Sequence, residues 1–161
     1  MRLVFWSAFA ALLLDQVSKY LVVHGMALWR VRSIDVLPPL LNFRYGENRG
    51  INFGLFDGDS DGARWFLIVL SLVVVAAVLI WIRKGEKGFW MRLSAGLLVG
   101  GALGNVVDRI YYGYVLDFLN MSCCGINNPF VFNVADIFIF AGAIGLIVFD
   151  AQQGKRAKNA P

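Results

Sequence analysis

The sequence predicts an all-α membrane protein, a four-transmembrane-helix bundle with a small extracytoplasmic β-rich loop region. Three observations carry that expectation. Hydrophobic residues make up 58% of the 161 residues and charged residues only 16%, and the mean hydropathy is well above zero, the balance of a chain whose solvent is partly lipid. Four apolar segments of about 18 to 21 residues are each long enough, at ~1.5 Å per helical residue, to cross a hydrocarbon core ~30 Å thick. Lys and Arg gather at the ends of those segments, mostly on one side.

The first span is expected over about residues 3–23. Met1 and Arg2 precede it as they would a cleaved signal peptide, but the run is longer than a usual signal core. It also holds Asp15 and Lys19 and lacks a small-x-small cleavage site, so it reads as a retained helix. Asp15 and Lys19 stand four apart on one helical face, acid first, the order that favours an ion pair.

Residues 24–64 form a long outer loop. In "VLPPLLNFRYGENRGINFGLF" apolar and polar residues alternate between Pro38, Pro39, Gly46, Gly50 and Gly54, which predicts short strands and turns at the membrane surface. "DGDSDG" reads as an exposed turn; it has no glutamate at the twelfth position of a calcium loop.

The second span, about 65–82, has no ionisable side chain between Phe66 and Ile82 and serves as packing. The third, about 93–112, carries Gly96, Gly100 and Gly104 at a spacing of four, a small-residue stripe that admits a neighbouring helix. Its outer part holds Asn105, Asp108 and Arg109, with Asp117 just beyond. The fourth, about 132–149, opens on "FNVAD" with Asn133 and Asp136. Residues 1–161 thus make a single membrane domain.

Orientation follows from Arg2, from Arg83, Lys84, Lys87 and Arg92, and from Lys155, Arg156 and Lys158, which four spans put on one side. Residues 113–131, on the other side, have no Lys or Arg. Both termini are expected to be cytoplasmic. Arg30, Arg32, Arg44 and Arg49 oppose this, but their loop is long and also acidic, and such loops weigh less in topology.

With that orientation, the polar residues of three spans share one outer level. Charges in a membrane face a partner or a water-filled cavity, so the level is a candidate site. Two readings stay open for each group: Asp15 with Lys19 as a structural ion pair, and Asn105, Asp108 and Arg109 as a hydrogen-bonded knot, or each as part of a site with Asp117 and Asp136.

The net charge of +4 sits at segment ends and not in a stripe among exposed aromatics, which excludes nucleic acid as the partner. Cys123 and Cys124 are neighbours, so neither a spaced metal motif nor a disulfide framework is possible, and they read as small loop residues. His24 is the only histidine, which excludes Ser-His-Asp and Cys-His hydrolases and a histidine-rich metal site. Two carboxylates brought close can share a proton and activate water with no metal or cofactor, as aspartic proteases do. A proton-coupled transporter would need polar residues in both halves of the membrane. A structural subunit would tolerate Asp-to-Asn change.

"DQVSKYLV", "NRGINFGLF", "GGALGNVVDR", the aspartate of "VLDF", and "FNVAD" resemble, in order and over nearly the whole chain, the motif set of the lipoprotein signal peptidase (signal peptidase II) family. The resemblance implies an integral aspartic endopeptidase of the bacterial cytoplasmic (inner) membrane that works near the extracytoplasmic face. It would cut a diacylglyceryl-modified prolipoprotein just before the lipid-modified cysteine. Asp117 and Asp136 fall on the family's catalytic pair, and Asp15, Lys19, Asn48, Gly50, Asn105, Asp108, Arg109 and Asn133 on supporting or substrate-contacting positions. No metal or cofactor is implied; the partners are the prolipoprotein and membrane lipid, and a monomer suffices because one chain supplies both aspartates.

Arg109 beside Asp108 and Asn105 below it are expected to hold that carboxylate ionised and fixed, leaving Asp117 freer to titrate. The loop with Asn48, Gly50 and Phe53 is expected to cover the site. Ile51 and Asn52 stand where the family favours small residues, and "LNMSCCGINNPFV" matches no family motif.

Overall fold

Arg2–Lys19 forms the first helix, α1, which runs on without a break into a wider π-helical turn over Tyr20–Gly25. The computed structural model describes residues 1–50, 61–84, 87–123 and 128–158, with side chains as far as 152. Ile51, Asn52, Phe53, Gly54, residues 57–60 of the expected turn, Cys124, and the side chains of Lys155, Arg156 and Lys158 lie outside that description.

After the π turn come a one-turn helix α2 (Leu28–Val31), the strands β1 (Ser33–Leu37) and β2 (Leu41–Asn48), and two long helices, α3 (Asp61–Arg83) and α4 (Phe89–Tyr112). Strand β3 (Val115–Asn120) and helix α5 (Val134–Lys158) complete the order. Among the described residues, α3, α4 and α5 are long and apolar enough to cross a membrane. α1 overlaps the expected first span but is not among these three, and it carries the buried charges Asp15 and Lys19.

Helix α4 is the centre of the bundle: 67% of its most apolar stretch is buried, against 17% for those of α3 and α5. Its glycines explain how. A Cβ on Gly100 would stand 2.7 Å from the Ala11 Cβ of α1, so the two helices meet at backbone distance, and Gly96 meets Ser7 in the same way. Val4, Met91, Ala95, Leu98 and Leu146 fill the space between α1, α4 and α5. The outward faces carry exposed Phe5, Trp6, Leu14, Val73, Phe140 and Ile147, an apolar surface suited to lipid.

The three strands form one antiparallel sheet in the order β1-β2-β3. β1 and β2 fall in the long loop, where strands are expected. β3 does not: the sequence treats the stretch after the third span as a plain connection, and the structure makes it a strand that holds Asp117 opposite Gly46. Every β3 residue except Leu119 is buried, so the alternation that marks a half-exposed strand is missing. Gly113, at φ 87°, ends α4 in the left-handed conformation and turns the chain directly into β3. Leu116 and Phe118 of β3 pack with Val22 and Val23 of the π turn and Leu28 of α2, which seats the sheet over the ends of α1 and α4.

Candidate functional site

Four elements meet beneath that sheet: the last turns of α1, the last turns of α4, strand β3 and the first turn of α5. Asp15 and Lys19 are buried on α1, Asn105 and Asp108 on α4, Asp117 on β3, and Asn133 just before α5; Asp136, one turn on, is partly buried.

The first turn of α5 is organised by Asn133. Its side-chain oxygen accepts from the Asp136 backbone N–H at 3.0 Å, and the Asp136 carboxylate accepts from the Asn133 backbone N–H at 3.2 Å. This is a reciprocal capping box, written with Asn and Asp in place of Ser/Thr and Glu. The remaining donor of Asn133, Nδ2, bonds Asp117 Oδ1 at 2.6 Å and reaches Asn105 Oδ1 at 3.3 Å. Asn105 Nδ2 in turn donates to Asp136 Oδ1 at 2.9 Å. Two asparagines therefore hold the two aspartates in one frame.

Asn48, the last residue of β2, donates to Asp117 Oδ2 at 3.1 Å. Its own oxygen accepts from the Gly50 N–H at 3.1 Å, with Gly50 at φ 103°, a turn that holds the amide and that a side chain at residue 50 would strain. The Asp117 carboxyl is pushed up to about 7, first by burial and then by the charge of Asp136; the bonds from Asn133 and Asn48 and the charge of Lys19 pull the other way.

Behind the two aspartates lies an ionic cluster. Lys19 Nζ sits 2.8 Å from Asp15 Oδ2 and 2.7 Å from Asp108 Oδ2, with Asn105 Oδ1 at 3.4 Å. The pairing of Asp15 with Lys19 follows the expected i,i+4 geometry. The surroundings of Asp108 differ from expectation: its counter-charge is Lys19 of α1, and Arg109 instead donates to the Asn105 backbone carbonyl at 3.4 Å. Adjacent residues on a helix point about 100° apart, so the Arg109 side chain is directed away from Asp108 and onto the Asn105 carbonyl. Arg109 is still close enough to Asp136, Asp108 and Asp117 for its charge to act on all three.

Both carboxylates of the cluster reach backbone that carries the front pair. Asp15 Oδ1 accepts from the Ala135 N–H at 2.8 Å, satisfying a free donor of the α5 N-terminus, where a negative charge is favoured. Asp108 Oδ2 accepts from the Leu116 N–H at 3.1 Å, one residue before Asp117. Gln16, absent from the sequence-based candidates, joins them: its Nε2 donates to Asp108 Oδ1 at 2.9 Å, Asp15 Oδ2 at 3.1 Å and the Gly104 carbonyl at 3.3 Å. Its sequence signals were an amide inside an apolar run and a place within the "DQVSKYLV" motif.

All ten expected site residues thus belong to one connected region. A carboxyl that titrates near neutrality next to a second carboxylate is suited to holding and passing a proton at neutral pH.

A family model described as signal peptidase (SPase) II matches residues 7–151. The chain is 39% identical over 155 residues to a "Lipoprotein signal peptidase" of Methylorubrum extorquens, covering 93% of this chain and 86% of that protein. It is 35% identical over 158 residues to a protein of the same description from Nostoc sp., covering 98% and 95%. Two solved structures described as "Bacterial membrane enzyme structure by the in meso method" share the fold. One gives a TM-score of 0.78 at 27% identity, covering 98% of this chain and 93% of that one. The other gives 0.75 at 29% identity, covering 90% of each.

Proposed function

The chain belongs to the signal peptidase II family, aspartic proteases that remove signal peptides from prolipoproteins, and from that premise we propose that Asp117 and Asp136 are its catalytic pair. The observation that carries this reading is the shared frame: Asn133 bonds both carboxylates, and Asp117 is pushed up to about 7 beside Asp136.

In this reading the pair holds one proton between its members at neutral pH. The ionised carboxylate takes a proton from a bound water, and the resulting hydroxide attacks the carbonyl carbon before the diacylglyceryl-modified cysteine. The protonated carboxyl donates to the carbonyl oxygen, giving a gem-diol. A proton then passes to the cysteine nitrogen, the C–N bond breaks, and a carboxylic acid and a free amine leave. Asn105 and Asn133 orient the pair, and Asn48 and Gly50 hold Asp117 from the sheet side.

The whole chain is read as one membrane domain of four spans, with α1 and its π turn as the first. The termini are cytoplasmic and the sheet lies at the outer face of a bacterial inner membrane. The signal helix of the substrate enters from lipid, and a monomer is sufficient. The exposed apolar faces of the bundle and the polar cluster at one end of it support this placement.

The deciding experiment is cleavage of a diacylglyceryl-modified prolipoprotein by the purified protein and by Asp117→Asn and Asp136→Asn. Both variants should stay folded and lose at least about 10³-fold in rate. Near-normal cleavage by either folded variant would sink the assignment.

A further inference from the structure

Asp108 is fully buried, and both of its oxygens are already bonded within the protein. Oδ2 takes the Lys19 ammonium and the Leu116 N–H, and Oδ1 takes Gln16. The role left to it is to hold the start of β3, and what holds Asp108 then becomes decisive. Lys19 supplies one positive charge to two buried carboxylates, Asp15 and Asp108. With both acids ionised the three groups sum to one negative charge, and a neutral amide at position 16 supplies hydrogen-bond donors to both carboxylates without burying a further charge.

The Gln16 side chain meets that requirement. It crosses from α1 to α4 between the two carboxylates and also reaches the Gly104 carbonyl. Building on the proposed reaction, we propose that Gln16 is a positioning residue of the peptidase: by fixing Asp108 it fixes the backbone at Leu116, and so the place of the Asp117 carboxyl. It touches neither member of the pair. The ionisable groups around this path are Asp15 and Lys19 on α1, Asp108 and Arg109 on α4, Asp117 on β3 and Asp136 on α5.

Two variants of the full chain test this in lipid. Gln16→Met keeps the length and removes the donors. Gln16→Glu keeps the shape, and when protonated its hydroxyl can again donate to Asp108. With the prolipoprotein as substrate, Gln16→Met should lower kcat about 10-fold or more at every pH, with KM within about twofold of wild type. Gln16→Glu should be similarly poor at pH 8 and recover relative to wild type as the pH falls toward 5.5. A residue that only packs two helices would alter melting temperature without a kcat–KM split and without acid recovery.

Wild-type kcat in folded Gln16→Met, or a Gln16→Glu profile parallel to wild type, would overturn the positioning role. Failure of both variants to fold would overturn it too, by making Gln16 a residue on which the whole fold depends. The wild-type protein and Asp117→Asn, run alongside, separate the two layers: if wild type does not cleave, or Asp117→Asn does, the catalytic reading itself fails.

Discussion

Asn133 Nδ2 donates to Asp117 Oδ1 at 2.6 Å, the shortest hydrogen bond in the site. The same residue starts α5 by exchanging bonds with Asp136, so one side chain sets both the helix origin and the spacing of the two carboxyls. Asn133→Ser separates these tasks. A serine hydroxyl still caps the helix, so stability should fall by less than about 1 kcal/mol, while Asn133→Ala should lose about 1–2 kcal/mol. Both should lose most of the cleavage rate, since neither reaches Asp117. Melting curves and prolipoprotein cleavage measured together check this, and a fully active Asn133→Ser would contradict it.

The rate should also depend on pH in a defined direction. Asp117 is pushed up to about 7, so on the proposed mechanism the proton shared with Asp136 is present below that value and lost above it. kcat/KM should therefore fall on the alkaline side, by roughly tenfold per unit well above the limb. A profile between pH 5.5 and 9 that stays flat to its upper end would rule this out.

Stability should move with the same group. A carboxyl raised from 3.8 to about 7 on folding contributes its full proton-linked stability below its unfolded value, and that contribution disappears as pH rises through the folded one. The protein should thus weaken between about pH 4 and pH 7, and Asp117→Asn should remove the loss. At pH 8 the variant should be the more stable by on the order of 3 kcal/mol, with little difference near pH 4. Thermal unfolding at the two pH values gives the answer; an Asp117→Asn protein less stable at pH 8 would refute it.

Lys19 is paired with two buried acids at once, so Lys19→Met should cost about 3–5 kcal/mol through the uncompensated charge left behind. Adding Asp15→Asn to Lys19→Met should recover part of that loss. Yield and melting temperature in the membrane fraction measure both, and a well-folded single variant would show that the cluster contributes little.

Gly104 lies where a Cβ would come within 2.6 Å of Asp15 Oδ2. Gly104→Ala should push Asp15 off the Ala135 N–H and lower stability by about 1–3 kcal/mol, with reduced cleavage. Gly62→Ala, whose Cβ meets nothing within 4 Å, is the matched control. Equal behaviour of the two variants would remove the steric argument.

How far the site was legible in the sequence depended on distance along the chain. The Asp15–Lys19 pair was visible because both partners lie on one helical turn, and the four-residue glycine spacing revealed a close helix contact without saying with which helix. The attachment of Asp108 to Lys19 and of Asp15 to Ala135 was hidden, because each joins residues dozens of positions apart and nothing local encodes a partner. β3 escaped because a strand buried on both faces has the composition of the membrane segment before it. Gln16 escaped, although it lies in the quoted "DQVSKYLV" motif, because an uncharged amide between Asp15 and Lys19 draws no notice until two acids are found on either side of it.

The bond between Asp15 and the Ala135 N–H joins the first helix of the chain to its last. During synthesis the α1 acid must wait until nearly the whole polypeptide has left the ribosome before it meets that partner. On the proposed reading, a chain ending before α5 has Asp117 without Asp136 and an unfinished cluster behind it, and so lacks the pair that would activate water. The α1 acid gains this backbone donor once α5 is in place, which ties completion of the ionic cluster to completion of the fold.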